Sequence, residues 1–407
     1  MKNTFTPLFY SIGNFAEETR VALEARYDIN SSFHMILPYK FTERLNYKIA
    51  SAALFEVASK VLNGTTTPHS VALARFLVNL RFVTERSTYL LLKRFALEIP
   101  SLSFPSLGKA KLYSTNDYTV RRRNIHEGFE TGIKNHSCTT FPGNQQQWKD
   151  LVNDTFKGKS NLFTPRAPFV CLHVRESGFH NDATRRSYRN SDIATYYEAI
   201  DFLLSKGLIV VRLGDASMTK LGIARPGLVD YPFSKYKSDY NDLSLIANAK
   251  FYIGTNSGIL DVAYLFRVPV LVTNMHSWII PPHKPVDRGV LKSIRIGGTT
   301  YRGFRDWLNV DYHYANIFNI LDGEACFIDN SEGELYCSVR DYFYCMSHDL
   351  KDLPDHVASQ FHERLEHFNG IANESIGDLR HEFRAHDKIT RLRLRYINNT
   401  HMGAFLN

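Results

Sequence analysis

The sequence predicts an α/β protein whose second half is a doubly wound sheet. Three observations carry that reading. From Phe169 to Thr273, a span of about 105 residues, strand-like and helical patterns alternate as strand, helix, strand, helix, strand, helix, strand. The apolar runs are short and bounded by turn residues, as buried strands are. Two of them end in glycine turns, Gly214-Asp215 and Gly254-Thr255-Asn256-Ser257-Gly258, and the second feeds directly into a helix.

In the first half, Pro7–Ile12 reads as a strand, Gly13-Asn14 as its turn, and Phe15 to Arg26 as a helix. Phe33–Leu37 is a second candidate strand and Tyr47–Leu62 a second helix, ended by Asn63-Gly64. Helical patterns continue over His69–Val83 and on to Leu97. Residues 98–165 carry less pattern: the basic run Arg121-Arg122-Arg123, scattered glycines, and a helix over Gln145–Thr155. A domain boundary is placed near Lys159–Pro168, where Gly, Ser and Pro cluster before a strongly apolar run.

In the second half, Phe169–Val174 is a buried strand. Asp192–Lys206 sets Ile193, Tyr196, Tyr197, Ile200, Leu203 and Leu204 on one helical face. Ser191 or Asp192 can cap its start, and Gly207 suits the left-handed position after its end. Strands follow at Leu208–Leu213, Leu228–Tyr231, Phe251–Ile253 and Pro269–Thr273, with helices at Asp242–Ala249 and Ile259–Phe266. Helices are expected over Leu353–Phe368 and Gly377–Tyr396. The last interleaves Arg384, Lys388, Arg391, Arg393 and Arg395 with apolar residues, so it suits a membrane surface or an ordinary packed helix with solvated charges. The expected division is 1–160, 161–340 and a helical 341–407.

Composition narrows the function classes. Over 407 residues, 44% are hydrophobic and 22% charged, which argues against disorder, collagen and coiled coil. The 49 Lys and Arg against 41 Asp and Glu give a net charge of +8, which suits anionic partners such as nucleotides, phospholipid or nucleic acid without choosing among them. Five cysteines with no C-x-x-C pair point to a reducing cytoplasm and away from a structural zinc. The N-terminus lacks the pattern of a signal peptide, and no stretch approaches the roughly 20 apolar residues of a membrane span.

Ligands of open α/β sheets gather at the carboxyl ends of the strands, and three candidates lie there. In His173-Val174-Arg175-Glu176, alternation puts His173 and Arg175 on one side of the chain, and the arginine fork suits a phosphate. A buried arginine paired with a carboxylate is the structural alternative. Gly254–Gly258 offers free amides at a helix start, helped by Thr255 and Ser257, although ordinary capping explains such a turn too. In Arg212-Leu213-Gly214-Asp215, the glycine permits close approach and Asp215 can accept hydrogen bonds from a base or ribose. Asp239 and Asp242 precede the glycine-turn strand, where Asp242 can instead cap a helix. Gly13 suits a close-approaching acceptor or a tight turn, and Arg121–Arg123 an anionic acceptor or a solvated face. There is no Walker or G-x-G-x-x-G fingerprint, no Asp-x-Asp, no His-Glu-x-x-His and no G-x-S-x-G. Arginine, lysine and backbone amides are the groups left to stabilise a diphosphate.

Cys171-Leu172-His173-Val174-Arg175-Glu176 resembles the H-x-R motif of the fucosyltransferase superfamily, which comprises α1,6-, α1,2- and protein O-fucosyltransferases. The stretch from Asn241-Asp242 to Ser257-Gly258 is similar to the late motif of that group, in which an aspartate begins a helix and a strand ends in a Thr/Ser-rich turn. The wider pattern, including Ile12-Gly13-Asn14-Phe15, resembles a bacterial group of glycosyltransferase-like proteins found with surface-polysaccharide genes. The superfamily match spans roughly residues 169–273; the bacterial one extends over most of the chain.

The resemblance implies a GT-B fold, two Rossmann-like domains facing across a cleft, with acceptor on the first (Gly13, Asn14) and nucleotide sugar on the second. It implies that Arg175 contacts the β-phosphate and that His173, Asp242 and Ser257 help to hold the donor. The donor set is completed from strand-end position by Arg212, Gly214, Asp215, Asp239, Thr255, Asn256 and Gly258. The superfamily inverts at the anomeric carbon and needs no metal. Glu176 stands where the α1,6 enzymes carry a second arginine, and Gly258 where a second serine often follows, so the donor is GDP-fucose-like or another nucleotide sugar. Glu176, then Asp182, are the candidate bases, and a glycan or lipid-linked glycan is the expected acceptor, at the inner membrane face or in the cytoplasm. Two rival readings are a nucleotide-sugar epimerase with a GT-B-like core and a non-enzymatic binder of nucleic acid or anionic surfaces. Nucleic acid is not an expected partner, since no RNA-binding aromatic motif or zinc finger is present.

Overall fold

A computed structural model describes residues 2–5, 11–29, 32–35, 50–61, 112–113, 144–159, 161–178, 187–276, 287–301 and 325–346. The chain divides into two units, Met1–Gly143 and Asn144–Asn407.

The first unit contains β1 (Lys2–Phe5), α1 (Ile12–Ile29), β2 (Ser32–Met35), α2 (Ala52–Val61) and β3 (Leu112–Tyr113). Its strands run parallel in the order β2-β1-β3, with α1 as the crossover from β1 to β2. Helix α1 buries Phe15, Ala16, Thr19 and Leu23, the spacing of one helical face, and α2 buries Ala53, Leu54, Val57 and Ala58. Ser51 caps α2, its Oγ accepting from the Leu54 amide at 3.1 Å.

The first strand is Lys2–Phe5, not Pro7–Ile12, and α1 already starts at Ile12. Lys2-Asn3-Thr4-Phe5 carries one apolar residue, so its place at the centre of this sheet is set by pairing to Ser32–Met35 and Leu112–Tyr113 and leaves no local pattern. Gly13 and Asn14 therefore lie in the first turn of α1 instead of in a loop, with Gly13 buried. The helices expected over 69–83 and on to 97, and the run Arg121–Arg123, lie outside the described residues.

The second unit opens with α3 (Gln145–Thr155), held by a reciprocal cap. Asn144 accepts from the Gln147 amide at 3.0 Å, and the Gln147 side chain accepts from the Asn144 amide at 3.3 Å. The boundary falls after Gly143, ahead of the expected 159–168, because α3 is fastened to the second unit. Gln145 Nε2 donates to the Ala249 carbonyl at 2.7 Å, and the buried Trp148 ring lies 5.2 Å from Phe266. The Gly/Ser/Pro stretch is the loop from α3 to β4 within that unit.

Then come β4 (Phe169–His173), α4 (Tyr197–Ser205), β5 (Ile209–Arg212), β6 (Leu228–Asp230), α5 (Asp239–Asn248), β7 (Tyr252–Gly254), α6 (Gly258–Leu265), β8 (Val270–Met275) and β9 (Arg288–Leu291). One 3-10 turn, Ser187–Arg189, and a second, Ile193–Tyr196, lead into α4. Asp192 caps the second, and Gly207 takes the left-handed conformation after α4 (φ +74°). The six strands pair in parallel in the order β6-β5-β4-β7-β8-β9. Alternation sends Val170, Leu172, Val210, Ile253, Leu271 and Val290 into a core with Ile200 and Leu203 of α4. Leu335, Val339 and Tyr342 of a later helix, α7 (Glu332–Cys345), join that core. Each fully buried aliphatic chain contributes roughly 1.5–3 kcal/mol. Helix α3 packs beside α5, and α5 beside α6.

Three antiparallel strands, β10 (Ser293–Ile296), β11 (Thr299–Tyr301) and β12 (Ala325–Ile328), form a separate small sheet. Gly297 and Gly298, at φ +53° and +84°, make the two-residue hairpin turn between the first two. Helix α7 crosses the expected boundary at residue 340; the helices expected at 353–368 and 377–396 lie outside the described residues. Among the described residues no helix is long and apolar enough to cross a membrane.

In numbers counted from β4, the strand order is 3-2-1-4-5-6. The order therefore reverses between β4 and β7, where successive connections diverge and leave a crevice beyond the strand carboxyl ends. If Trp148 fastens α3 to this unit, Trp148→Ala should cost about 3–5 kcal/mol in urea unfolding. A loss under about 1 kcal/mol would return α3 to the role of a linker.

Candidate functional site

The strand ends bordering the reversal are tied to one another. Thr255 donates its amide to the His173 carbonyl at 3.1 Å, and its Oγ1 accepts from the Arg175 amide at 3.0 Å. Ser257 Oγ lies 3.1 Å from His173 Nδ1. Gly254 is obligatory in this join, because a Cβ there would stand 2.5 Å from the His173 carbonyl oxygen. The His173–Arg175 exit and the Thr255–Gly258 turn thus form one assembly at the reversal point.

Ser257 occupies the N-cap position of α6 without making a side-chain cap bond, since its hydroxyl is turned to His173. The opening amides of α6 therefore sit at a half-buried helix start with no side chain capping them, and partial positive charge collects there. Cations stand beside it. The buried Arg175 donates from Nη1 to Asn190 Oδ1. Arg189 Nη2 donates to the Asn256 carbonyl at 2.9 Å. Lys292, just past β9, donates to the Asn190 carbonyl at 2.7 Å and to Asp329 Oδ1 at 2.6 Å. Burial lowers the Lys292 pKa, against the pull of Asp329.

His173 is pushed down to about 4, chiefly by burial and further by Arg212, Arg175 and Lys237, with Asp215 opposing. His276, just past β8, is held well below its ordinary value by burial, then by Arg189, Lys292 and Arg175. Both imidazoles are neutral at pH 7.

Arg212 and Glu176 are engaged differently from the sequence expectation. The Arg212 side chain is 0% exposed; its Nη2 meets Glu176 Oε1 at 2.6 Å and its Nη1 meets Asp230 Oδ1 at 2.9 Å. Nη1 also donates to the Thr219 carbonyl, and Glu176 Oε2 accepts from the Thr219 amide at 2.8 Å. A guanidinium enclosed by two carboxylates is not available to a phosphate, and a carboxylate with both oxygens occupied is a poor proton acceptor. This pair corresponds to the structural alternative for a strand-end arginine, realised at Arg212.

Gly214 takes φ +149° against Met218, and Asp215 Oδ1 accepts from the Ser217 amide at 2.8 Å, so Asp215 shapes its own turn. Asp239 and Asp242 lie in the first turn of α5, and Ser238, not Asp242, caps it. Asp242 pairs with Lys237, its Oδ1 has no hydrogen-bond partner, and burial raises its pKa. Asp182 lies outside the described residues.

Reasoning from the sequence missed Arg189, Asn190, Lys237, His276 and Lys292. Signals existed for two of them. Lys292 interrupts the run Val290-Leu291-Lys292-Ser293-Ile294, an unusual place for a lysine, and His276 follows a strand end as His173 nearly does. Among the described residues no group of three or more His, Cys, Asp or Glu is arranged to hold a metal ion.

No protein-family model and no curated protein matches the chain. Among solved structures it is similar to the ADP-heptose LPS heptosyltransferase II of E. coli, at 14% identity and TM-score 0.36, over 67% of this chain and 84% of that one. It is similar to the iron-containing dodecameric glycosyltransferase TibC of enterotoxigenic E. coli H10407, at 11% and 0.36, over 85% and 76%. A third is UDP-GlcNAc 2-epimerase of Methanocaldococcus jannaschii, at 9% and 0.31, over 84% and 100%. Likenesses of this size decide no activity.

Arg212→Met leaves Glu176 and Asp230 without their shared cation and should cost about 3 kcal/mol in urea unfolding; a neutral result would contradict a structural role. Between pH 6.5 and 4 the unfolded chain carries a proton on residue 173 that the folded protein does not. Stability should therefore fall on acidification from about 6.5 and level off below about 4, with His276 acting in the same direction. His173→Gln should flatten that decline in thermal melts taken across the window, and an unchanged slope would show that His173 is not buried as described.

Proposed function

We propose that the chain is a GT-B-type glycosyltransferase that takes a nucleotide sugar at the β4/β7 reversal. The observation that carries the reading is the single assembly of Arg175, His173 and the Thr255–Gly258 turn, at the place where doubly wound sheets bind nucleotides. A diphosphate on the opening amides of α6 would have Ser257 beneath it and the positive field of Arg175 and Arg189 beside it.

The reaction is a direct displacement with inversion. A hydroxyl of a glycan or lipid-linked glycan forms its bond to the anomeric carbon as the bond to the diphosphate oxygen breaks, and the hydroxyl proton leaves to a base. The departing oxygen carries the charge that develops. The nearby cations and amides are fixed in place by the hydrogen bonds above, so they need little reorganisation to meet it. His173, uncharged, orients Ser257 and adds no competing cation. Arg212 and Glu176 are assigned to the frame of the site, and no described carboxylate is assigned as the base. The reading needs no metal, because cations and amides of the chain take the leaving charge.

A thermal-shift series with GDP, UDP, TDP, ADP and CMP tests the donor class. One diphosphate at about 100 times its dissociation constant adds roughly 2.7 kcal/mol to stability, so selective stabilisation by one member is expected. Arg175→Ala should then lower sugar transfer by at least about 100-fold while far-UV circular dichroism is unchanged. A flat series, or full turnover by the folded variant, overturns the assignment. Conversion of the donor alone, without acceptor, would mark an epimerase instead.

A further inference from the structure

Two buried polar atoms beside this seat have no hydrogen-bond partner: Nδ1 of His276 and Oδ1 of Asn256. His276 is 6% exposed. A buried polar atom left unpaired costs about 1–3 kcal/mol, and such groups in native proteins commonly await a ligand or an ordered water. Both residues contact the same short turn, Ser187–Arg189. Arg189 grips the Asn256 carbonyl, while the adjacent Tyr188 ring meets His276 edge-on at 5.0 Å. Phe327 of β12 borders the imidazole in the same T-shaped manner at 6.4 Å. The two rings, themselves 5.9 Å apart, form a cluster with His276 that helps to fix its orientation, and Nδ1 is left as an unspent polar atom.

We propose that His276 Nδ1 and Asn256 Oδ1 form a subsite for hydroxyl groups of the sugar carried by the nucleotide, on the β8 side of the diphosphate seat. This rests on the nucleotide-sugar reading and extends it from the phosphates to the glycosyl group. The chemistry separates the two halves of the ligand. Arg175 and Arg189 carry permanent positive charge and suit phosphate oxygens. His276, kept neutral by burial and then by the neighbouring cations, offers one uncharged hydrogen bond, and the Asn256 amide oxygen offers an acceptor. An uncharged pair of hydrogen-bonding atoms next to a cationic seat matches a hydroxyl-bearing ring joined to a phosphate. A second phosphate or a carboxylate would not need it.

The test is isothermal titration of the full chain with matched pairs: UDP and UDP-glucose, GDP and GDP-mannose, ADP and ADP-glucose. His276→Phe retains an aromatic ring against Tyr188 and Phe327 but removes Nδ1. His276→Asn keeps a polar atom near that position. For the pair the protein binds, H276F should weaken the sugar nucleotide about tenfold, as the loss of one buried hydrogen bond would, and leave the parent diphosphate within about twofold. H276N should recover most of the difference. Asn256→Ala, at a less buried position, gives the same split if H276F fails to fold. Equal weakening of both members of a pair, or of neither, overturns the subsite and points to an ordered water as the partner. Absence of binding by any pair overturns the nucleotide-sugar reading as well, which distinguishes the two failures.

Discussion

The candidate site depends on Thr255. Its amide and its hydroxyl hold the backbone at His173 and at Arg175, so the pairing of β4 with β7 continues past the last rung of the sheet. Two strands about 4.8 Å apart are thereby kept together where their connecting segments depart in opposite directions. Gly254 makes the approach possible, since the His173 carbonyl occupies the space a side chain would need. The arginine is carried into place by main-chain bonds that no exposed side chain has to maintain, and catalytic preorganisation asks for that kind of placement.

Two arginines at neighbouring strand ends have opposite employment. Arg212 is the last residue of β5, walled in by Glu176 and Asp230, and it pins the segment around Thr219 to the sheet. Arg175 lies two residues beyond β4 and donates to a neutral amide. Two carboxylates cancel the field of the first guanidinium, and the Asn190 side chain orients the second.

Much of the second unit was legible because its elements are locally self-consistent. The uniformly apolar strands, the Asp192 cap, Gly207 at a helix end and the Gly254–Gly258 turn state their roles within a few residues. What escaped was settled by partners distant in sequence. Lys2–Phe5 is a strand through its neighbours, β10 to β12 pair across a long separation, and Arg212 could be told from Arg175 only once Asp230 and Glu176 were seen converging on it. The cluster of Arg189, Asn190 and Lys292 draws on positions 102 residues apart, a distance no local pattern encodes.

Helix α3 begins at Asn144 with its own reciprocal cap and hydrogen-bonds to the far end of α5. Its start is therefore self-sufficient and asks nothing of the residues before it. For anyone grafting this second unit onto a different first unit, the natural splice lies between positions 143 and 144. A junction placed at the glycine- and proline-bearing stretch some twenty residues later would leave Phe266 facing a missing indole.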